Sequence, residues 1–254
     1  MINKVREEFL ISKFKLKNEM VEELRIKEIS EQKPEKIYKF MDLSTNKLDK
    51  LNSIKNGKLW VNNAYDLNDP FECSFKFNDE PINKINYQVQ KYYDYQKKTD
   101  EVLEDLKKEV YIAALTESKT SLLMWSHYAK NHTGICIEYD FEEVEKCETD
   151  TLKFLPVLYR KKMADYTPDG SLNWIYRVYA CKAKEWEYEM EWRFIIYEKK
   201  CINGFLVNFV KPKCIYLGCK MEKDTKDEII DFFKDSGIEI KSMVKNSREY
   251  KVSL

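Results

Sequence analysis

Short apolar runs follow one another along this chain with connections too brief for a crossover helix, and that spacing most limits what it can fold into. KLWVN (58–62) is followed after ten residues by CSFKF (73–77), and FLVNF (205–209) runs almost directly into KCIYLG (213–218), while ICIEYD (135–140) and FLPVLY (154–159) read as two further strands with thirteen residues between them. Parallel neighbours need a connection of about a dozen residues or more, whereas antiparallel neighbours need only a turn. The nearly continuous apolar run YIAALT (111–116) reads as a strand buried on both faces. The pattern predicts an α+β (mixed α/β) fold with a central mixed or antiparallel sheet flanked by helices.

The helices are read from spacing and caps. Leu48, Leu51 and Ile54 follow the candidate caps Ser44 and Thr45, and Asn56-Gly57 closes that turn of chain. Further helices are expected over Asp100–Glu109, 121–134, 171–186 and DTKDEIIDFFKDSG (224–237). Strands IYKFM (37–41), EYEMEWRFIIY (187–197), IEIKSMV (238–244) and a last short one at Tyr250–Ser253 complete the set. Residues 1–33 form a separate amphipathic helix through Ile2, Val5, Phe9, Leu16, Met20 and Leu24, limited by Pro34, which packs on its own domain or meets a partner. Residues 34–254 then make a single α+β domain.

Composition narrows the class. Aromatic residues make up 14% of the 254 residues, which excludes a disordered chain. Lys+Arg and Asp+Glu both number 44, so there is no net charge to serve generic nucleic-acid binding. The seven cysteines form no Cys-x-x-Cys pair and there are two histidines, so no metal is expected. Scattered thiols in apolar runs suit a reducing cytoplasm, and no apolar stretch is long enough for a membrane span.

Three stretches carry candidate chemistry. Read as a strand, EWEYEMEWRF (185–194) puts Tyr188, Met190, Trp192 and Phe194 on one face. Glu187, Glu189, Glu191 and Arg193 share the other. That polar face is either a solvated strand or a cleft in which Glu189 or Glu191 meets a substrate hydroxyl or a cation, with Arg193 holding a carboxylate. In LLMWSHYAKNHTG, His127 is either a structural histidine or a general base, beside Trp125 and Tyr128. In LNDPFE (67–72), turn chemistry accounts for Asn68, Asp69 and Pro70; Phe71 is expected to plug the core, and Glu72 is left over as a partner for Arg193 or a neighbour of Glu191.

The order IYKF, KLWVNNAYDLNDPFE, LMWSHYAKNHTGICIEYD, VLY, KAKEWEYEMEWR, IYLGCKM resembles a bacterial family known only as domain of unknown function 2971, over roughly residues 36–254. The strand–helix–strand opening and the Glu-x-Glu element are also similar in order to the ADP-ribosyltransferase fold. That second resemblance implies NAD as substrate, Glu191 as catalytic carboxylate assisted by Glu189, and Tyr38 and Lys39 at the nucleotide; on that reading Asn68, Asp69, Glu72, Trp125, His127, Tyr128 and Arg193 are the further candidates for holding it. Lys39 stands where that fold usually has His or Arg. It further implies a protein or nucleic-acid acceptor and the setting of a toxin or phage-defence effector. The competing expectations are a non-catalytic sensor or interaction module, and a metal-dependent nuclease using Asp69, Glu72, Glu189 and Glu191.

Overall fold

The computed structural model describes residues 33–67, 69–73, 76–77, 107–163, 165–166, 178–200 and 202–254. The N-terminal helix and all of the 100–109 helix except 107–109 lie outside those residues.

Strands β1 (Lys36–Met41), β2 (Lys58–Asn63), β4 (Val110–Thr116), β5 (Ile135–Asp140), β6 (Leu152–Pro156), β10 (Glu191–Tyr197), β11 (Gly204–Asn208), β12 (Cys214–Leu217) and β13 (Glu239–Ser242) form one nine-stranded sheet. Its main path runs β11-β2-β4-β1-β5-β12-β13, with β10 on β4 and β6 on β10. The ladders are antiparallel except β12 with β13, which are joined through a helix, so the sheet is mixed as the connection lengths predict. Smaller two-stranded pairs are β3 (Lys76–Phe77) with β8 (Asp165–Tyr166), β7 (Leu158–Arg160) with β9 (Cys181–Ala183), and β14 (Val244–Lys245) with β15 (Val252–Ser253).

Period-two alternation sorts the sheet into two buried faces. Ile37, Tyr111, Leu115, Ile137, Trp192 and Phe194 pack under α1 (Lys47–Lys55), the short α3 (Phe141–Glu145) and α4 (Lys223–Phe233). Ile229 and Phe233 of α4 are almost wholly enclosed, which contributes about 1.5–3 kcal/mol for each such side chain. Tyr38, Phe40, Cys136 and Tyr216 face the other way, onto Met124 and Trp125 of α2 (Leu122–Tyr128). Among the described residues no helix is long and apolar enough to cross a membrane.

Several local expectations are corrected. Neither Ser44 nor Thr45 caps α1; Asn46 holds the N-cap position in the left-handed conformation, and Asp42 instead accepts from both the backbone N–H and the hydroxyl of Ser44. Leu48 points outward, 60% exposed. Gly57, at φ +60°, does follow the helix end. The 121–134 helix stops at Tyr128, because Lys130, Asn131 and His132 all adopt positive φ. That conformation costs each non-glycine residue about 1–2 kcal/mol, and the turn is held by His132 N–H on the Trp125 carbonyl and Gly134 N–H on that of Ala129. Of the helix expected over 171–186, Val178 and Tyr179 are helical, but from Cys181 the chain is strand β9 over 181–183 and then a 3-10 turn over Lys184–Glu189; residues 171–177 are outside the described set. Of the strand expected over 73–77, Lys76–Phe77 is strand and Cys73 lies in a turn, while residues 74–75 are outside the described set.

Candidate active site

β4 changes neighbours along its length, and the site lies at that change. β10 covers one edge of β4 through every residue, from Val110–Tyr197 to Thr116–Glu191. The opposite edge is shared, with β2 paired at Tyr111 and Ile112 and β1 paired at Thr116. Between those contacts Ala113, Ala114 and Leu115 pair only with β10 among the described residues, so β1 and β2 diverge and the sheet splits. Lys39 spans the gap, its ammonium donating to the Ala114 carbonyl at 3.1 Å. Such points, where neighbouring strands part, are where sheets most readily hold ligands. Here a cavity of about 350 Å³ opens, walled by Tyr38, Phe40, Asp66, Leu67, Thr116 and Tyr128 and by a group of charged side chains.

The charged group comes from four chain segments. The 3-10 turn ends at Glu189, Met190 takes φ 46°, and β10 begins at Glu191. The expected strand over 187–190 is therefore absent: alternation starts at Glu191, and Glu187 is a surface residue paired with Lys184. Thr116 Oγ1 donates to the Glu189 carbonyl at 2.6 Å and Tyr159 OH accepts from Glu191 N–H at 2.7 Å, fixing both ends of the kink. β9 delivers Lys182. The 69–72 turn, in which the Asp69 carboxylate accepts from Phe71 N–H at 2.9 Å, delivers Glu72.

These five residues form one buried ionic network. Arg193, 1% exposed, donates through Nε to Glu191 Oε1 and through Nη2 to Glu72 Oε2, both at 2.7 Å, and through Nη1 to the Tyr179 carbonyl at 2.9 Å. Lys182 Nζ sits 2.7 Å from Glu189, 2.9 Å from Glu72 and 3.3 Å from Glu191. A lysine thus stands where three carboxylates converge, the place a divalent cation would take. Among the described residues, no group of three His, Cys, Asp or Glu side chains is arranged to hold a metal ion. Three carboxylates against two cations leave one formal negative charge at the cavity wall.

The two neighbouring glutamates differ. Burial alone would push Glu191 up, but Arg193 and then Lys182 outweigh it and bring Glu191 down to about 2. Burial raises Glu189, and the Glu191 charge raises it further, against Lys182 and the Tyr128 hydroxyl, which donates to it at 2.5 Å. Glu191 is therefore a fixed charge and Glu189 a stronger proton acceptor than an ordinary carboxylate. Glu72 Oε1 has an ion-pair distance to Lys182 without hydrogen-bond geometry, so it is a buried oxygen with unfilled acceptor capacity. Lys39, partly buried beside the gap, is drawn down to about 8 by desolvation, with Glu191 opposing.

Of the sequence candidates, the cavity gathers Tyr38, Lys39, Glu72, Tyr128, Glu189, Glu191 and Arg193. Asp69 is buried and shapes the turn without lining the cavity. Trp125 is fully buried against Phe40 and donates to the Lys119 carbonyl at 2.7 Å, a core role in place of ligand contact. His127 is exposed and bonds Tyr188 at 3.2 Å, away from the cavity lining. Phe71, expected as a plug, is 65% exposed. Asn68 lies outside the described residues. Lys182 was not anticipated, because the helix expected over 171–186 hid the strand register that aims it inward.

No curated protein and no solved structure matches the chain. Residues 124–194, from α2 through Phe194 of β10, match the model of the family described as Protein of unknown function (DUF2971), which supports over this stretch the family that the order of motifs resembles.

Proposed function

We propose that the cavity binds a nucleotide of the NAD type and cleaves its N-glycosidic bond, handing the ADP-ribosyl group to water or to an acceptor. The observation that carries this reading is the pair Glu189 and Glu191, one held ionised and one raised, on the wall of a partly aromatic cavity. Loss of nicotinamide leaves positive charge on the ribose ring, and a preorganised carboxylate stabilises that charge without reorganising. Glu191, locked by Arg193, supplies the fixed charge. Glu189 takes the proton of the attacking water or acceptor hydroxyl. Glu72 Oε1 accepts a hydrogen bond from a ribose hydroxyl, and the aromatic wall of Tyr38 and Tyr128 faces the departing ring.

Nicotinamide release from NAD by the wild type and by Glu191→Gln, with melting curves to confirm folding, is the test. The expected outcome is turnover in the wild type and a loss of about 10²-fold or more in the variant. Equal turnover in both, or none in the wild type with any acceptor, removes the reading.

The opposite charge that stands beside every member of the network favours a second reading, a non-catalytic module whose buried ions fix the geometry of the split sheet. It is distinguished by binding: a purely structural network leaves no ligand whose affinity depends on Glu189.

A further inference from the structure

A second cavity, of about 480 Å³, lies under α1 in the widening gap between β1 and β2. It shares Lys39 and Asn62 with the first, so those two side chains form the wall between the cavities. Its size exceeds that of the first, and both fall in the range of small-molecule sites.

The lining is suited to a planar group carrying an anion. Trp60 is 46% exposed at the mouth, with its indole N–H bonded to Asn62 Oδ1 at 2.7 Å, which fixes the ring. Leu206, its cross-strand partner, is 47% exposed beside it. Two large apolar side chains left open next to a cavity are an unfilled apolar contact. Tyr139 closes the floor, and α1 supplies Asp49 and its sequence neighbour Lys50, whose ammonium donates to the Asp42 carbonyl at 2.8 Å. Lys39 stands at the junction, where its partly buried ammonium donates to the Ala114 carbonyl at 3.1 Å.

We infer that the two cavities make one composite site for a dinucleotide, with the second nucleoside stacked on Trp60 beneath α1 and the phosphate bridge at Lys39. This rests on the proposed function only for what the first cavity holds. The second cavity takes its ligand by stacking, by the Asp49 carboxylate accepting from a sugar hydroxyl, and by the Lys39 ammonium donating to the phosphate. Burial of Lys39 fits that role: it costs the free protein to keep this ammonium charged, and a bound phosphate relieves the cost.

The experiment is calorimetric titration of the full chain with AMP, nicotinamide mononucleotide and ADP-ribose, using the wild type, Trp60→Ala and Lys39→Gln. Trp60 is a surface residue of an outer ladder, and circular dichroism melting of Trp60→Ala checks that it folds. AMP and ADP-ribose are expected to bind the wild type and to weaken about tenfold or more in Trp60→Ala, with nicotinamide mononucleotide unchanged. Lys39→Gln is expected to weaken all three. If Trp60→Ala binds AMP and ADP-ribose as the wild type does, or the wild type binds neither, the composite site is overturned. Binding of AMP that depends on Trp60, without binding of nicotinamide mononucleotide, keeps the second cavity as a nucleotide site and sinks the reading of the first.

Discussion

Glu138 on β5 and Glu191 on β10 are both about 3% exposed, both belong to the same sheet, and both are held by cations, yet they are held in different ways. Glu138 accepts from the Tyr216 hydroxyl at 2.6 Å and from Lys36 at 2.7 Å, and the Lys36 side chain is itself half in solvent. The carboxylate is alone among its donors. Glu191 is met by two cations that are themselves buried, and it shares them with two further carboxylates at a cavity wall. The first arrangement is what a sheet needs to enclose a stray charge. The second gathers more charge than enclosure requires, and does so where strands part. Surplus buried charge at an opening, rather than burial itself, separates a site from scaffolding.

The largest effect of breaking this contrast is expected at Arg193. Arg193→Met leaves Glu191 and Glu72 buried with Lys182 as their common cation, and loss of one partner from a buried ion pair costs about 3–5 kcal/mol. Urea unfolding of the variant checks it; a change under about 1 kcal/mol would mean that the network is already open to water.

Glu138→Gln is expected to cost only about 1 kcal/mol, since Gln keeps the Tyr216 contact and one partner reaches it from solvent. The wild-type contribution has a definite pH sense. Burial would raise Glu138, but Lys36 and Tyr216, with Lys119, lower it overall below the ordinary 4.5. The contribution is therefore present above the unfolded value and lost as pH falls through the lower folded value. Stability measured at pH 7 and pH 3 should differ less in Glu138→Gln than in the wild type. An unchanged difference would show that Glu138 gains nothing from its charge.

The sheet was legible in the sequence because connection length and alternation are local properties. ICIEYD and Lys223–Phe233 fall where spacing placed them. The failures occur where tertiary bonds override local preference. Met190 breaks the strand at Glu189 because Thr116 and the following β4–β10 ladder capture the chain there. The Phe71 side chain turns outward because Asp69 holds its N–H and Glu72 takes the inward position toward Arg193. Glu72, Glu191 and Arg193 were foreseeable as a group, since the residue left over by turn chemistry needed a cation. Lys182 was not, because its role depends on β9 pairing with β7, a contact between short strands more than twenty positions apart.

The central claim is that Glu189, unlike Glu138, takes part in chemistry at the split. One measurement addresses it: the rate of nicotinamide release from NAD by the wild type, Glu138→Gln and Glu189→Gln at matched folded fraction, followed as pH is lowered. The account predicts a wild-type rate for Glu138→Gln, a loss of about 10²- to 10⁴-fold for Glu189→Gln, and a wild-type decline that begins above the ordinary carboxylate value of 4.5, where the raised Glu189 takes up its proton. Equal rates in Glu189→Gln and the wild type would contradict it.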